Sequence, residues 1–307
     1  MPHQTQLKLI KRRLTGKEGS ARLNELRTIL TDLPDYKNGP YADLRKWVLG
    51  QIDATRARAR VVQRDSIAVR REGAAQIALV GPPNAGKSSM LHALSEVQIK
   101  IGNYAFTTLR PVPALVRIHG VLVQLVEIPG LIEGAAEDRG GGRALLGVLR
   151  GADAIVYCQE ASGSVQPLLT VRREVQAAGI DLPAILAATK ADDATPADIE
   201  RVGTAVPELP LVRVSILDDA SLQALKEAIW GLTGLICVYL RHDGSIDDEP
   251  QALPYGATAL DVARSVHQDL ADGFKAARVW GASARFEGQL VGREHQLMDG
   301  DVVEVLA

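Results

Sequence analysis

The chain has 307 residues, with 35 Lys and Arg against 37 Asp and Glu, and 46% of it is hydrophobic. That length suits two or three domains, and the ordinary composition excludes collagenous, disordered and disulfide-stapled classes. The formal charge of −2 gives no overall bias toward nucleic acid or membrane surfaces. The N-terminus MPHQTQLKLIKRR has no apolar signal-peptide core, and no apolar run reaches the ~18 residues of a membrane span. A soluble cytoplasmic protein is expected. Cys158 and Cys237 each lie in an apolar, strand-like run and read as buried free thiols of a reducing compartment.

Residues 1–72 read as helical. Leu7, Ile10 and Leu14, then Leu23, Leu26 and Leu30, then Tyr41, Leu44, Val48 and Ile52 recur at helical spacing, each set on one face. The stretch 32–40, with Pro34, Gly39 and Pro40, breaks the helices. This block holds 16 basic and 8 acidic residues, or +8, which leaves −10 for the other 235. After Ala54, Arg56, Arg60 and Arg64 fall at i, i+4 and i+8, with Arg58, Arg70 and Arg71 nearby. Such a stripe suits RNA phosphates or is simply a solvated helix face.

From 76 to about 234, short apolar runs at 77–80, 112–118, 121–128, 154–157, 184–188 and 211–214 alternate with helical stretches at 87–96, 165–178, 196–204 and 221–232. That alternation predicts an α/β fold with a mostly parallel sheet covered on both faces. Only His119 and Gly120 separate the second and third runs, too little for a crossover helix, so those two pair as an antiparallel hairpin. The block 235–307 is strand-rich with one helix near 259–270, and acidic, at 6 basic and 12 acidic residues. The chain thus divides at 1–72, 73–234 and 235–307. Phe274 and Trp280 in the last block read as core residues.

The residues Gly81, Pro82, Pro83, Asn84, Ala85, Gly86, Lys87, Ser88 and Ser89 fit G-x-x-x-x-G-K-[ST] between a strand and a helix. Glycines let backbone N–H groups curl around phosphate oxygens, and the helix N-terminus adds its own unpaired donors. Lys87 brings positive charge to the β- and γ-phosphates, and the Ser88 hydroxyl is a magnesium ligand.

A phosphate loop alone does not name the base. Thr189, Lys190 and Asp192 follow the run 184–188 and resemble the NKxD of GTPases, with Thr in the first place. Guanine presents two N–H donors as a fork that a carboxylate such as Asp192 accepts; adenine has none. The Lys190 stem is expected along the base plane. Glu127, Pro129 and Gly130 resemble DxPG, in which a carboxylate reaches magnesium through water and the glycine N–H senses the γ-phosphate; Glu127 is one methylene longer than Asp. Gly134, Gly140, Gly141 and Gly142 follow, as in a segment ordered by phosphate and released on hydrolysis. Phe106, Thr107 and Thr108 lie between phosphate loop and hairpin, where a hydroxyl, Thr108, completes the magnesium shell. The element Ser215, Ile216 and Leu217 is expected to cover the base with its backbone groups, with Ser215 as the site residue.

Together these residues resemble the Obg–DRG branch of the translation-factor-related GTPases. The resemblance rests on FTTL at 106–109, PGLIEGA at 129–135, Asn84 and the glycine-rich switch. The runs LPYGATALDVA at 253–263, FKAARVWG at 274–281 and LMDGDVVEV at 297–305 resemble a TGS domain, a β-grasp module shared with threonyl-tRNA synthetase and stringent-response synthetases. The resemblance implies slow GTP hydrolysis with Mg²⁺, GTP and GDP as ligands, and RNA or ribosome contact through the basic helices and the TGS domain. It implies neither membrane association nor DNA specificity. It also implies that Lys87, Asn84, Thr108 and Gly130 serve catalysis, with Asn84 helping to hold K⁺ where an arginine finger would act. Asn84 as a plain turn former stays open, as do a non-hydrolysing scaffold and an ATPase. Leu131 stands where many GTPases carry a water-orienting glutamine. Between Gly130 and Lys190 lie too few residues for the domain that DRG proteins insert there.

Overall fold

The computed structural model describes residues 2–14, 17, 19–34, 39–65, 69–95, 110–129 and 142–307. The expectations for Phe106, Thr107, Thr108, Gly130, Leu131 and the glycines 134–141 lie outside them. Two compact units are present, residues 1–68 and 69–307.

The first unit contains α1 (Pro2–Leu14), α2 (Gly19–Asp32) and α3 (Pro40–Asp65). Ile10, Leu14, Leu26, Ile29, Leu44, Val48 and Ile52 form its core. Of the stripes read from spacing, Leu7, Leu23 and Leu30 are only partly buried against it, Tyr41 is not part of it, and Ile29 is an addition. Arg45 on α3 donates to the carbonyls of Leu30 (3.2 Å) and Leu33 (3.0 Å), satisfying acceptors that the end of α2 leaves open. The side chains of Arg56, Arg58, Arg60 and Arg64 lie outside those described. Arg71 belongs to the second unit, where it pairs with Asp153; neighbouring Arg70 accepts at its carbonyl from the Gln124 side chain at 2.9 Å.

The second unit begins with β1 (Gln76–Val80), every residue of it buried. Ile77 and Leu79 enter one core layer and Ala78 and Val80 the other, as a strand covered on both faces requires. Then come α4 (Lys87–Leu94), β2 (Val112–Ile118), β3 (Val121–Glu127) and α5 (Gly142–Arg150). After them follow β4 (Ala154–Glu160), α6 (Gln166–Ala177), β5 (Ala184–Thr189), α7 (Pro196–Ala205), β6 (Leu211–Arg213) and α8 (Asp219–Thr233). The sheet order is β2-β3-β1-β4-β5-β6. Among the described strands of this sheet only β2 and β3 pair antiparallel, joined through His119 (φ +50°) and Gly120 (φ +82°), the two left-handed positions of a tight hairpin turn. α5 starts at Gly142, the last glycine of the cluster read as switch, because Leu145, Leu146 and Leu149 bury one face from there on.

The chain continues through Gly234 (φ +63°) into β7 (Leu235–His242), β8 (Ser245–Ile246), β9 (Gln251–Pro254), α9 (Ala259–Val266) and α10 (Gln268–Asp272). It closes with β10 (Ala276–Trp280), β11 (Gln289–Val291) and β12 (Val302–Leu306). The second sheet runs β11-β10-β12-β7-β8 with β9 on β7. The single helix expected near 259–270 is broken at His267, whose backbone is extended and whose ring nitrogen accepts from Asp269 N–H at 3.1 Å. Phe274 is in the core. Trp280 is not: it sits half-buried, with the Arg241 guanidinium 4.3 Å from its ring, because β10 directs it away from the core that Ala277 and Val279 enter. Cys158 and Cys237 are free and buried, and burial pushes their thiols up to about 12 and about 11.

The hairpin turn meets the C-terminal part of this unit. Arg117 pairs with Glu249 at 3.1 Å, and Cys237 Sγ lies 3.7 Å from the His119 carbonyl oxygen. His119 Nε2 lies 2.8 Å from Glu227 of α8, its ring edge-on to Trp230. Gly120 lies so close that a Cβ there would come within 2.7 Å of Pro250. Among the described residues no helix is long and apolar enough to cross a membrane.

Candidate nucleotide site

β1 lies between β3 and β4, the point where the sheet order reverses, and open α/β sheets bind ligands beyond the strand ends at such a point. The loop 81–86 leaves β1 there. A Cβ at Gly81 would lie 2.2 Å from the Cys158 carbonyl oxygen, so only glycine lets the loop pass over β4. Asn84 (φ +64°) and Gly86 (φ +77°) are both left-handed, and they turn the backbone into the start of α4. Pro82 and Pro83 have no N–H, so after Gly81 the loop's amides resume at Asn84, with the Ala85 N–H donating to the Pro82 carbonyl at 3.4 Å.

Lys87 is buried, and its Nζ donates to the carbonyls of Gly81 (2.9 Å) and Pro82 (2.8 Å). Loss of hydration pulls its ammonium below the ordinary lysine range, against the opposing pull of Cys158 and Glu127. A poorly hydrated ammonium at the base of an amide-lined turn is suited to phosphate oxygens. Ser88 Oγ donates to Glu127 Oε1 at 2.7 Å, so the extra methylene of Glu127 still reaches the hydroxyl. That pair is a set of hard oxygen donors, the chemistry that suits Mg²⁺. Among the described residues no group of three or more His, Cys, Asp or Glu gathers as a metal cluster.

Thr189 ends β5, buried, and its hydroxyl lies 2.8 Å from the Ala85 carbonyl and 3.2 Å from that of Gln159. It therefore ties the phosphate loop to two strand ends with a single donor. Lys190 follows in a left-handed turn (φ +53°), with its Nζ 2.9 Å from Glu160 Oε2. The Asp192 carboxyl is held below the ordinary carboxylate range, chiefly by the hydrogen bond from Ser215. Ser215 Oγ also accepts from Leu217 N–H at 3.1 Å, and Ser215 N–H donates to Ser221 Oγ at 3.0 Å. A cavity of about 250 Å³ opens beside the loop, lined by Ser89, Met90, Thr189, Lys190, Asp192 and Leu217 among others. Leu217, 80% exposed, forms its apolar rim. A second hollow of about 460 Å³ adjoins it, lined by Asp192, Arg213, Ser215 and Asp218.

The structure thus brings together the residues 81–89, Glu127, Thr189, Lys190, Asp192 and Ser215 along one edge of the sheet. Ile216 and Leu217 of the base-covering element line the cavity, whereas Glu160 was not picked out from sequence as a site residue. Glu160 stands opposite Thr189 only through the parallel register of β4 and β5, which no local motif encodes.

A model of the 50S ribosome-binding GTPase family matches residues 76–190, and one of the TGS domain matches residues 236–307. The chain therefore carries a P-loop GTPase fold followed by a C-terminal TGS domain. Its relatives include DRG-type GTP-binding proteins. A GTP-binding protein of Halobacterium salinarum is 29% identical over 78% of this chain and 85% of its own. The Developmentally-regulated GTP-binding protein 2 of Mus musculus is 28% identical over 78% and 84%. The first alignment spans 314 positions while using 78% of this chain, so the relative carries sequence without counterpart here. Among solved structures, the YchF GTPase of Schizosaccharomyces pombe shares the fold, with a TM-score of 0.52 at 13% identity over 77% of this chain and 99% of that one.

Proposed function

We propose that this protein binds GTP and GDP and hydrolyses GTP slowly, as a Mg²⁺-dependent switch that works on RNA or the ribosome in the cytoplasm. The observation that carries the nucleotide reading is the junction at Thr189. One hydroxyl joins the phosphate loop to the strand that presents Lys190 and Asp192, so phosphate and base recognition share one rigid element. The ionised Asp192 carboxylate, opening on the cavity, suits the N1–H and N2–H of guanine. DRG-type relatives named as GTP-binding proteins support the same base.

In this reading the amides of residues 84–88 and the Lys87 ammonium hold the phosphates. Gly81, Pro82, Pro83 and Gly86 shape the loop, and Ser89 edges the base cavity. Ser88 would ligate Mg²⁺ directly and Glu127 through water, and the ion would supply positive charge against the charge building on the transferred phosphoryl group. Thr108 would complete the ion's shell and Gly130 would sense the γ-phosphate, with Phe106 and Thr107 assigned to nucleotide binding. Asn84 would help to hold K⁺, whose positive charge would favour phosphoryl transfer. The helical segment 1–72, at +8, and the TGS domain 235–307 are the RNA- or ribosome-facing parts, flanking the nucleotide domain 73–234.

Single-turnover hydrolysis with Mg²⁺, in K⁺ and then in Na⁺, tests the switch. Turnover faster in K⁺ is expected; equal rates in both salts remove the K⁺ role. Glu127 in the place of Asp favours a second reading, a nucleotide-binding scaffold. Binding without turnover in either salt would establish that one instead.

A further inference from the structure

Lys190 starts from a backbone conformation that L side chains seldom adopt, at φ +53°, and such positions persist only when their surroundings over-determine them. Here Ala191 N–H donates to the Val214 carbonyl at 3.1 Å and Asp193 N–H to that of Lys190 at 3.2 Å. The turn therefore fixes where the lysine side chain begins. It does not fix where the side chain ends, because four flexible methylenes lie between.

The ammonium ends on Glu160, 2.9 Å away. Glu160 is the last residue of β4, paired in register with Thr189, and the turn that follows it is held from several sides. Gln159 Nε2 donates to the carbonyls of Glu160 (2.8 Å) and Ser164 (3.2 Å). Arg201 donates to those of Ala161 (3.0 Å) and Gly163 (3.2 Å), and Ala161 N–H donates to Thr189 O at 2.9 Å. The turn that carries Glu160 is pinned, and two methylenes separate its carboxylate from the backbone against four for the lysine ammonium, so the carboxylate is the less mobile partner and anchors the lysine.

The geometry points to Glu160 as a positioning residue for the nucleotide base: it holds the Lys190 ammonium so that the methylene stem forms a ready face of the base cavity. This deepens the guanine-nucleotide reading of that cavity and rests on it. Without the anchor, the stem is free to sample other rotamers and must be ordered when the base arrives. The pair is partly exposed, at 43% and 34%, so its effect is modest and falls with salt.

The test titrates the full chain with a fluorescent GDP, as wild type, Glu160→Gln, Lys190→Ala and the double variant, at low and high salt. Glu160→Gln is expected to weaken GDP by about two- to five-fold at low salt. The loss should be the same for inosine diphosphate, since a stacking face does not read the base edge. In the Lys190→Ala background, Glu160→Gln is expected to cost nothing more. Wild-type affinity in Glu160→Gln overturns the proposal, and so does full additivity with Lys190→Ala. Loss of the effect with 2′-deoxy-GDP also overturns it, by assigning the carboxylate to the ribose. A wild type that binds no guanine nucleotide removes both this proposal and the reading of the cavity. Tight wild-type binding with an indifferent Glu160→Gln removes this proposal alone.

Discussion

Replacing Thr189 by valine keeps the shape of the side chain and removes one hydroxyl. That hydroxyl is the donor facing the Ala85 carbonyl at 2.8 Å and the Gln159 carbonyl at 3.2 Å. Thr189 is 3% exposed, so water has no ready path to replace it, and a buried acceptor left without its donor costs about 1–3 kcal/mol. The cost falls on the contact between phosphate loop and β5, so it enters nucleotide affinity as well as stability. If about half reaches the binding step, GDP weakens by about two- to ten-fold, at ~1.4 kcal/mol per factor of ten. Thr189→Ser is the control: it keeps the donor and loses a methyl, for which ~0.5–1.5 kcal/mol of stability is expected with affinity near wild type. Titration with a fluorescent GDP and a thermal melt on each variant give both numbers. Valine matching the wild type in affinity and melting would refute the view that this hydroxyl couples the two halves of the site.

Further expectations follow from other contacts. Gly120→Ala puts a methyl into a left-handed position and against Pro250, so a loss of about 1–3 kcal/mol of stability is expected in a thermal melt. Asn84→Gly keeps the left-handed turn at φ +64° and removes the carboxamide; it is expected to leave GDP affinity intact and to abolish any rate difference between K⁺ and Na⁺. Asp261 is held below the ordinary carboxylate range by its hydrogen bonds to Thr258 and Arg264. Since its folded pKa is depressed, its contribution is present above the unfolded value and is lost as pH falls through the folded one. An acid titration of the melting temperature should therefore show Asp261→Asn less pH-sensitive than wild type below about pH 4.

The phosphate loop and the Thr189-Lys190-Asp192 run were legible because their chemistry is local: fixed offsets between a strand and a helix carry it. The hairpin was legible for the same reason, since His119 and Gly120 leave no room for any other connection. Register is a different matter. Glu160 meets Lys190, and Arg71 meets Asp153, through pairings of strands and loops far apart in sequence, which spacing does not record. The break at His267 escaped because apolar positions continue at helical spacing on both sides, while the ring caps the next turn. Trp280 escaped because an aromatic residue in a short strand has equal claim to either face until the sheet is assembled.

At the centre of the proposed function is guanine selection by Asp192 beside a working phosphate loop. Competition of unlabelled GTP and ATP against a bound fluorescent guanine nucleotide tests it most directly, with Asp192→Asn measured alongside. GTP is expected to displace the probe far below the concentration at which ATP does, and Asp192→Asn to lose that preference. Displacement by ATP at the same concentration as GTP, or an Asp192→Asn variant that still prefers GTP, would contradict it.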